Sequence, residues 1–367
     1  MGITADGLTK RFGGRAALDG VSFEIEDGAF VVFLGATGAG KTTLVRLLAG
    51  VDFADAGRLE FDGSDVTRAD VRQRSVAMVY QQFVNYPSMT VYENIASPLR
   101  VRRPKLSEPA IDETVRETAR LLGIQNELGR VPGEVSGGQQ QRTAIARALA
   151  KDARYVLLDE PLANLDYKLR EELHSELTGI FRGRGGAVIY TTPEPAEALA
   201  LATHVGFLHE GRLLQFGPVD EVYARPNCVE AAAYFSQPSM NIIEARREDD
   251  ATLRLSPELV VDLPDLSEPL TKDAYLLGIR AHDIGIVEQG TGALTFGAQV
   301  ELAEIVGSDT EVHVAHHGIN FVVQHEEVHR HEIGESIRLS FEPSACFVFD
   351  PDSHALVARA GLGAAHG

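Results

Sequence analysis

The chain has 367 residues, of which 44% are hydrophobic, and it carries a formal net charge of −19. This length corresponds to about two domains. The negative charge disfavours a nucleic-acid partner, because an acidic surface repels phosphate groups, although a local basic groove is not excluded.

The first strong pattern is a glycine-rich motif that follows an apolar run. Residues 35–42 read G-A-T-G-A-G-K-T and fill every fixed position of the phosphate-loop pattern G-x-x-x-x-G-K-[ST]. The apolar run Phe30–Leu34 predicts a buried parallel strand before the motif, and three leucines predict an amphipathic helix over Lys41–Ala49 after it. This context predicts a nucleoside triphosphate with Mg²⁺ as the ligand.

The residue types of this loop explain how it would hold phosphates. Its glycines let backbone N–H groups point into one concavity, and the following helix adds the positive end of its dipole. Lys41 is placed to reach the β- and γ-phosphates, and Thr42 to ligate Mg²⁺. The predicted nucleotide contacts in this segment are Gly35, Thr37, Gly38, Ala39, Gly40, Lys41, Thr42 and Thr43.

Through the first half of the chain, apolar strand-like runs alternate with helix-length amphipathic stretches. Alternation of this kind predicts an α/β core with a largely parallel sheet. Beyond the elements around the loop, strands are predicted at 76–80, 155–158 and 187–191, and helices at 113–122, 138–150 and 167–181.

Two further motifs lie among these elements. Residues 135–139 read V-S-G-G-Q before a predicted helix, and their hydroxyl and N–H groups would form a second phosphate-binding surface. Two copies arranged head-to-tail would use such a surface, although a plain helix cap with two glycines is the alternative. Residues 155–160 read Y-V-L-L-D-E, so that a buried strand would end in Asp159, for the Mg²⁺ shell, and Glu160, for polarising the attacking water.

After about residue 234 the pattern changes to short β-type runs separated by Gly, Pro, Asp and His. This pattern predicts a small antiparallel β barrel that begins at a boundary near Ser236. From Ser236 onward there are 22 acidic and 8 basic side chains, a net charge of −14, which favours simple solubility as the role of the charge. The predicted strands are 274–279, 297–305, 311–315, 319–323 and 336–341.

Taken in order, these motifs resemble those of the ATP-binding cassette (ABC) ATPases, and most of all the subunit of bacterial importers for sugars, polyols and glycerol phosphates. The resemblance spans essentially the whole chain. It implies a nucleotide-binding domain over 1–235, with a helical subdomain at about 88–150, and an OB-like regulatory domain over 236–367. Residues 277–280, L-G-I-R, resemble a motif of that C-terminal domain in the sugar-importer branch.

The resemblance also implies residue roles. Phe12 would stack on adenine, with a core or edge aromatic as the alternative. Gln81, in the Q-loop-like segment 79–87, would contact Mg²⁺ and the attacking water and respond to the membrane subunit. The residues contacting a second cassette's nucleotide would be Ser136, Gly137, Gly138 and Gln139, and Asn164 and Asp166 would couple the two sites.

The chain departs from the family at the switch histidine. Segment 189–195 reads I-Y-T-T-P-E-P, which puts Pro193, a residue without any hydrogen-bond donor, at that position. His204 lies too far along the chain to replace it. Loss of one such donor costs on the order of 10²–10³ in rate. We therefore hypothesise that the site on this chain's own phosphate loop hydrolyses ATP poorly, and that the chain pairs with a second, different ATPase. The alternative is a homodimer that tolerates the loss.

The implied cofactors are ATP and Mg²⁺. The implied partners are two transmembrane permease subunits, a second ABC ATPase and, indirectly, an extracytoplasmic solute-binding protein, at the cytoplasmic face of the inner or plasma membrane. The alternatives are a regulatory subunit with little turnover and a soluble cassette ATPase acting on nucleic acid or ribosomes. The transported solute stays open.

Three remaining features fit an intracellular location. Cys228 and Cys346 are far apart and are expected to be reduced, buried thiols. The N-terminus lacks the layout of a signal peptide. No stretch approaches the roughly 18 apolar residues of a membrane span, so membrane association is expected to go through partners.

One motif in the second half of the chain matches the pattern of an unrelated class of enzyme. Residues 325–329 read H-E-E-V-H and match H-E-x-x-H, a zinc-protease pattern that needs both histidines on one helix face. The flanking segments look like strands, so a polar hairpin tip is the better interpretation. The default for the histidines of this region is a solvated loop position, with weak metal or pH sensitivity as the alternative. They are His313, His316, His317, His325, His329 and His331.

Overall fold

The computed structural model describes residues 1–163, 170, 177, 179–181, 185–263, 266, 269–287 and 294–360. The chain divides into two compact units, Met1–Val219 and Asp220–Gly367. The division falls before the boundary predicted near Ser236, because segment 220–235 is hydrogen-bonded to the second unit. The Leu356 N–H donates to Asn227 O at 2.9 Å, and the Val229 N–H donates to His354 O at 3.0 Å.

The described strands of the first unit form two sheets. They are β1 (Gly2–Phe12), β2 (Arg15–Glu26), β3 (Phe30–Leu34), β4 (Ala56–Phe61), β5 (Ser64–Asp65), β6 (Val76–Val79), β7 (Tyr155–Asp159), β8 (Ala187–Thr192), β9 (His204–His209) and β10 (Arg212–Pro218). The smaller sheet is antiparallel in the order β2–β1–β4–β5. The larger sheet has the order β10–β9–β3–β8–β7–β6 and is parallel except for β10, which confirms the predicted α/β core.

The central strands of the parallel sheet are buried along their whole length. Every residue of β3, β7 and β8 is buried, as expected for strands that are covered on both faces. Their apolar runs are therefore continuous rather than alternating. The carboxyl ends of such strands meet at one edge of the sheet, where ligands usually bind in open α/β folds.

The first unit also contains α1 (Lys41–Ala49), α2 (Val91–Arg100), α3 (Glu108–Leu121), α4 (Gly137–Ala150) and a short helix, Pro195–Leu201. α3 begins five residues before the predicted 113–122, because Ser107 caps it by accepting a hydrogen bond from the Ala110 N–H. Of the predicted helix 167–181, residues 170, 177 and 179–181 are helical and the others lie outside the described residues.

The second unit is built on antiparallel strands. They are β11 (Asn241–Arg247), β12 (Thr252–Arg254), β13 (Val260–Asp262), β14 (Ala274–Ile279), β15 (Ile284–Ile286), β16 (Leu294–Val306), β17 (Asp309–His316), β18 (Ile319–His325), β19 (Ser336–Phe341), β20 (Phe347–Phe349) and β21 (Leu356–Arg359). Their sheets have the orders β13–β12–β11–β14–β20–β21 and β15–β19–β16–β17–β18. Alternate residues of most of these strands form an apolar core, and Phe347 and Phe349 of β20 pack in a smaller cluster with Ala232 and Met240. The arrangement confirms the predicted all-β domain.

The histidine-rich region differs in part from its prediction. His325 ends β18 and residues 326–329 form no helix, so the zinc-protease arrangement is not formed. The hairpin interpretation was wrong, however, because β18 and β19 lie at different places in the sheet and do not pair. His316 is buried rather than solvated, because it ends β17 within the core.

The two cysteines differ in burial, and the helices bear on the expectation about membrane spans. Cys346 is buried, whereas Cys228 is only half-buried. In the part of the chain that the structure describes, each helix is too short or too polar to span a membrane.

Candidate active site

The phosphate loop connects β3 to α1 and depends on its glycines. Gly38 and Gly40 have φ angles of 87° and 109°, in the left-handed region that L side chains rarely adopt. A Cβ at Gly35 would lie 2.2 Å from the carbonyl oxygen of Leu208. Side chains are therefore excluded where the backbone must curve, and the loop keeps the concave form that phosphates require.

Lys41 is folded back against this loop. Its side chain is 3% exposed, and Nζ donates to Gly35 O at 2.7 Å and to Ala36 O at 3.1 Å. The same nitrogen forms an ion pair with Glu160 Oε1 at 3.0 Å. The buried ammonium is thus satisfied by three oxygens, and it connects the loop to the end of β7.

The first carboxylate at the end of β7 is buried between two threonines. Thr42 Oγ1 donates to Asp159 Oδ1 at 3.1 Å, and Thr191 Oγ1 donates to the same oxygen at 2.9 Å. Burial raises the pKa of Asp159, and the two hydroxyl donors oppose that shift by stabilising the carboxylate. A carboxylate and a hydroxyl oxygen side by side are the hard ligands that Mg²⁺ prefers, so the residues fit that ion.

The second carboxylate is held by its backbone as well as its side chain. Glu160 has a φ of 43°, and its N–H donates to Thr191 Oγ1 at 3.0 Å and to Thr191 O at 3.1 Å. Gln81 Nε2 donates to Glu160 Oε2 at 2.9 Å. The structure therefore brings together Lys41, Thr42, Gln81, Asp159 and Glu160, which were predicted from separate motifs.

Thr191 was missed as a site residue in the sequence. It lies at the end of β8 beside Asp159 in the sheet, and it is fully buried. The available signal was a pair of threonines ending an otherwise apolar strand. A buried hydroxyl at the carboxyl end of a central strand needs a polar partner, and here the partners are the two acidic residues.

The V-S-G-G-Q motif caps α4. Ser136 Oγ accepts from the Gln139 N–H at 3.3 Å, and Gln139 Oε1 accepts from the Ser136 N–H at 2.9 Å. Gln139 Nε2 also donates to Glu127 Oε1 at 3.2 Å. Ser136 and Gly137 remain exposed, Gly138 is buried, and a Cβ at Gly137 would meet no atom within 4 Å. Among the described residues, no hydrogen bond joins this motif to the phosphate loop.

Other predicted contacts surround this centre. Phe12 ends β1 with its ring 52% exposed, and Lys10 Nζ lies 5.3 Å from the ring centroid. Thr37 is exposed, Thr43 is half-buried, and Ala39 is buried. Asn164 and Asp166 lie outside the described residues.

Pro193 follows directly on β8. In the parallel sheet Thr192 is opposite Leu34, the last residue before the phosphate loop, and Thr191 is opposite Asp159. The register therefore brings the chain segment that contains Pro193 to the same sheet edge as the loop and the carboxylates. The Glu194 N–H donates to Thr192 Oγ1 at 3.0 Å, which fixes the turn after the strand.

A groove lies beside the segment that carries Gln81. It has a volume of about 580 Å³, and its lining includes Met78, Tyr86, Met89, Val101 and Arg147. Arg147 lies 5.0 Å from the Tyr86 ring centroid and donates to Val84 O. Burial lowers the pKa of this guanidinium. Tyr86 and Met89 are exposed, so the groove has an accessible apolar rim.

Comparisons with known proteins cover most of the chain. A model described as ABC transporter matches residues 18–163, and a TOBE domain model matches residues 277–349. The trehalose/maltose import ATP-binding protein MalK of Thermococcus litoralis is 34% identical over 95% of this chain and 97% of its own length. The sn-glycerol-3-phosphate import ATP-binding protein UgpC of Brucella abortus has the same identity and coverage.

Solved structures match part of the chain. A dimeric structure of the ATP-binding cassette MJ0796 in a post-hydrolysis state, bound to ADP and Pi, is 27% identical, with a TM-score of 0.54. The match covers 59% of this chain and 98% of that one. Another dimeric structure of MJ0796, described as a bacterial ABC transporter cassette, is 28% identical, with a TM-score of 0.55.

Proposed function

Because this chain belongs to the ATP-binding proteins of ABC transporters, which are ATPases coupled to transport, we propose that it energises import of a sugar, polyol or glycerol-type solute. It acts at the cytoplasmic face of the membrane as a peripheral subunit. The observation that carries the proposal is the connected set Thr42–Asp159–Thr191 and Lys41–Glu160–Gln81. The names of two relatives, which import trehalose or maltose and sn-glycerol 3-phosphate, support the solute class.

The same contacts suggest what each residue does with ATP. When ATP binds, the Lys41 ammonium would leave its ion pair with Glu160 and pair with the β- and γ-phosphates. The loop N–H groups would bind the remaining phosphate oxygens. Thr42 and Asp159 would hold Mg²⁺, which would neutralise charge developing on the phosphates. Glu160, released from Lys41, polarises the attacking water together with Gln81. Phe12 offers an exposed ring face for adenine.

The exposed end of α4 serves a second cassette. Ser136 and the N–H groups of Gly137 and Gly138 lie at a helix N-terminus, which favours anions. The motif is bonded within its own cap rather than to this chain's loop. It therefore suits a nucleotide held by a partner, with Gln139 fixing the cap and Asp166 coupling the two sites.

Pro193 makes the two sites of such a pair unequal. The switch position is close to the loop in the sheet register, and a proline there donates no hydrogen bond to the γ-phosphate. The site on this chain's own loop is therefore weak. We favour a second, different ABC ATPase that keeps the histidine, whose site is completed by Ser136, Gly137, Gly138 and Gln139.

The groove beside Gln81 is the docking place for a cytoplasmic helix of the two permease subunits. Its apolar rim suits an amphipathic helix, and Gln81 bonds directly to Glu160, so displacement of the segment would reach the catalytic carboxylate. The helical subdomain, about 88–150, supplies most of this groove. The β domain, from about residue 236, steadies the ATPase pair or receives a regulatory protein.

Affinity purification of this chain from detergent-solubilised native membranes, followed by mass spectrometry, tests the proposal. Two integral membrane proteins and a second cassette ATPase are the expected partners. Recovery of membrane proteins with this chain as the sole ATPase would support the import function and contradict the unequal pair of ATPases. Ribosomal or nucleic-acid partners without a membrane protein would contradict the transport function.

A further inference from the structure

An asparagine of α2 lies at the centre of a buried hydrogen-bond network next to residues that line the groove. The Asn94 side chain is 0% exposed. Its Oδ1 accepts the Tyr86 N–H at 2.8 Å, and its Nδ2 donates to Tyr86 O at 3.1 Å. One side chain thus binds both backbone polar groups of a residue in the groove wall.

The same amide closes the turn that leads into α2. Asn94 Nδ2 also donates to Met89 O and to Thr90 O, each at 3.0 Å. The Met89 N–H donates to Tyr86 O at 3.1 Å, so that backbone and side chain close the turn together. Three carbonyl oxygens surround Nδ2 and share its two hydrogens, whereas Oδ1 faces an N–H. This arrangement fixes the orientation of the amide, because the reversed amide would place an acceptor against three acceptors.

Two further side chains connect this segment to α4. Arg147 Nη1 donates to Asn94 Oδ1 at 3.4 Å, and Arg147 Nη2 donates to Val84 O. Asn85 Nδ2 donates to Gln140 O at 2.7 Å. Segment 84–90 is therefore bonded to α2 and also to α4, the helix that begins with the V-S-G-G-Q motif.

Hydrogen bonds, more than apolar burial, hold this segment in place. The side chains of Val84, Tyr86 and Met89 are exposed, so they bury little apolar surface against the unit. At the other end of the segment, Gln81 donates to Glu160. A segment held in one shape carries a displacement from the groove to Glu160, whereas a loose segment absorbs it.

We propose that Asn94 is a positioning residue that holds segment 84–90 in the shape connecting the groove to the Gln81–Glu160 hydrogen bond. This proposal rests on the proposed function, in which a permease helix docks in the groove. Asn94 acts through the backbone of Tyr86 rather than on the nucleotide. Through Arg147 it also connects the segment to α4, so a docked helix would act on both the catalytic carboxylate and the exposed end of α4.

Hydrogen–deuterium exchange of the full chain, measured by mass spectrometry, tests this role. Coupling between two sites is reciprocal, so a ligand at the phosphate loop must also affect the groove. In the original chain, a saturating non-hydrolysable ATP analogue with Mg²⁺ should change the exchange rate of a peptide spanning 84–90 about fivefold or more.

Asn94→Ala should have two effects on this peptide. Without nucleotide its exchange should become about tenfold faster, because the Tyr86 N–H loses its acceptor and the turn loses its donors. The difference between the nucleotide-bound and nucleotide-free chain should disappear. Affinity for the analogue should stay nearly unchanged, because no contact of the phosphate loop is removed. A merely structural role would not separate these two results.

Asn126→Ala is the matched control, because it removes the same side chain from an exposed position of the same unit and should leave the exchange of the peptide unchanged. Asn85→Ala removes the single bond to Gln140 and should act in the same direction but less strongly. It decides the question if thermal unfolding shows that Asn94→Ala does not fold.

The proposal is contradicted if nucleotide leaves the exchange of the original chain unchanged. It is equally contradicted if Asn94→Ala, or Asn85→Ala in its place, retains the full nucleotide-dependent difference. Failure of the proposed function would be seen elsewhere, as the absence of membrane proteins in the affinity purification, and would not alter the exchange rates.

Discussion

The hydroxyl of Thr191 lies 2.9 Å from Asp159 Oδ1, and the oxygen of the same hydroxyl accepts the backbone N–H of Glu160 at 3.0 Å. One buried side chain thus holds both acidic residues at the end of β7. It stabilises the ionised form of a carboxylate that burial would otherwise protonate more easily, and it fixes the turn that aims Glu160 at Lys41 and Gln81.

Thr191→Val therefore has a specific expected effect. The pKa of Asp159 should rise further, because a donor to its charged form is lost. Affinity of the purified chain for Mg²⁺–ATP should fall about tenfold at neutral pH and recover partly at higher pH. Thr191→Ser keeps the hydroxyl and should bind as the original chain does. Equal affinity and the same pH profile in the valine and serine variants would exclude this positioning role.

The sequence predicts those parts of the site whose residue types occur at fixed spacings along the chain. The phosphate loop and the strand ending in Asp159 and Glu160 follow from fixed patterns, because phosphate and Mg²⁺ chemistry restricts the residue types. Thr191 was missed because two threonines at the end of an apolar strand have no fixed spacing to other motifs, and the partners of Thr191 are distant in sequence. The compact units divide before the predicted boundary because segment 220–235 joins the second unit through backbone bonds with residues 354 and 356, which no local pattern reveals.

Lys41→Ala should weaken ATP binding by the isolated chain on the order of 10- to 100-fold, because a charge-assisted contact is worth about 1.5–3 kcal/mol. Glu160 also loses its ion pair, so its side chain should become more mobile. Lys105→Ala, at an exposed position, is the control and should bind normally. Fluorescent-nucleotide titration measures the difference, and similar affinities for the two variants would refute the role of Lys41.

Arg74→Met should lower the free energy of unfolding by about 2–4 kcal/mol. The Arg74 guanidinium is buried and donates to Leu47 O and Leu48 O at the end of α1, at 2.6 and 2.9 Å, and to two further carbonyls. Methionine would leave these carbonyls without donors. Exposed Arg72→Met is the control for denaturant unfolding. Equal stability of the two variants would show that water replaces the guanidinium without cost.

Pro193→His should activate the site on this chain's own phosphate loop, which we propose to be weak. In an assembled complex whose partner ATPase has lost its catalytic glutamate, only this chain's site can turn over. Restoring a donor to the γ-phosphate should raise that residual ATPase rate on the order of 10²-fold. Glu194→His, at the next residue, should have no such effect. An unchanged rate in the Pro193→His complex would show that the proline does not impair the site.

The most direct test of the unequal pair compares two variants of this chain in the complex purified from membranes. Gly137→Asp places a carboxylate on the exposed end of α4, where no atom obstructs it, and should lower ATPase activity on the order of 10²-fold by repelling the partner's nucleotide. Under the proposed unequal pair, Glu160→Gln should leave most of the activity, since this chain's own site would contribute little. Loss of activity in Glu160→Gln with activity retained in Gly137→Asp would contradict the account.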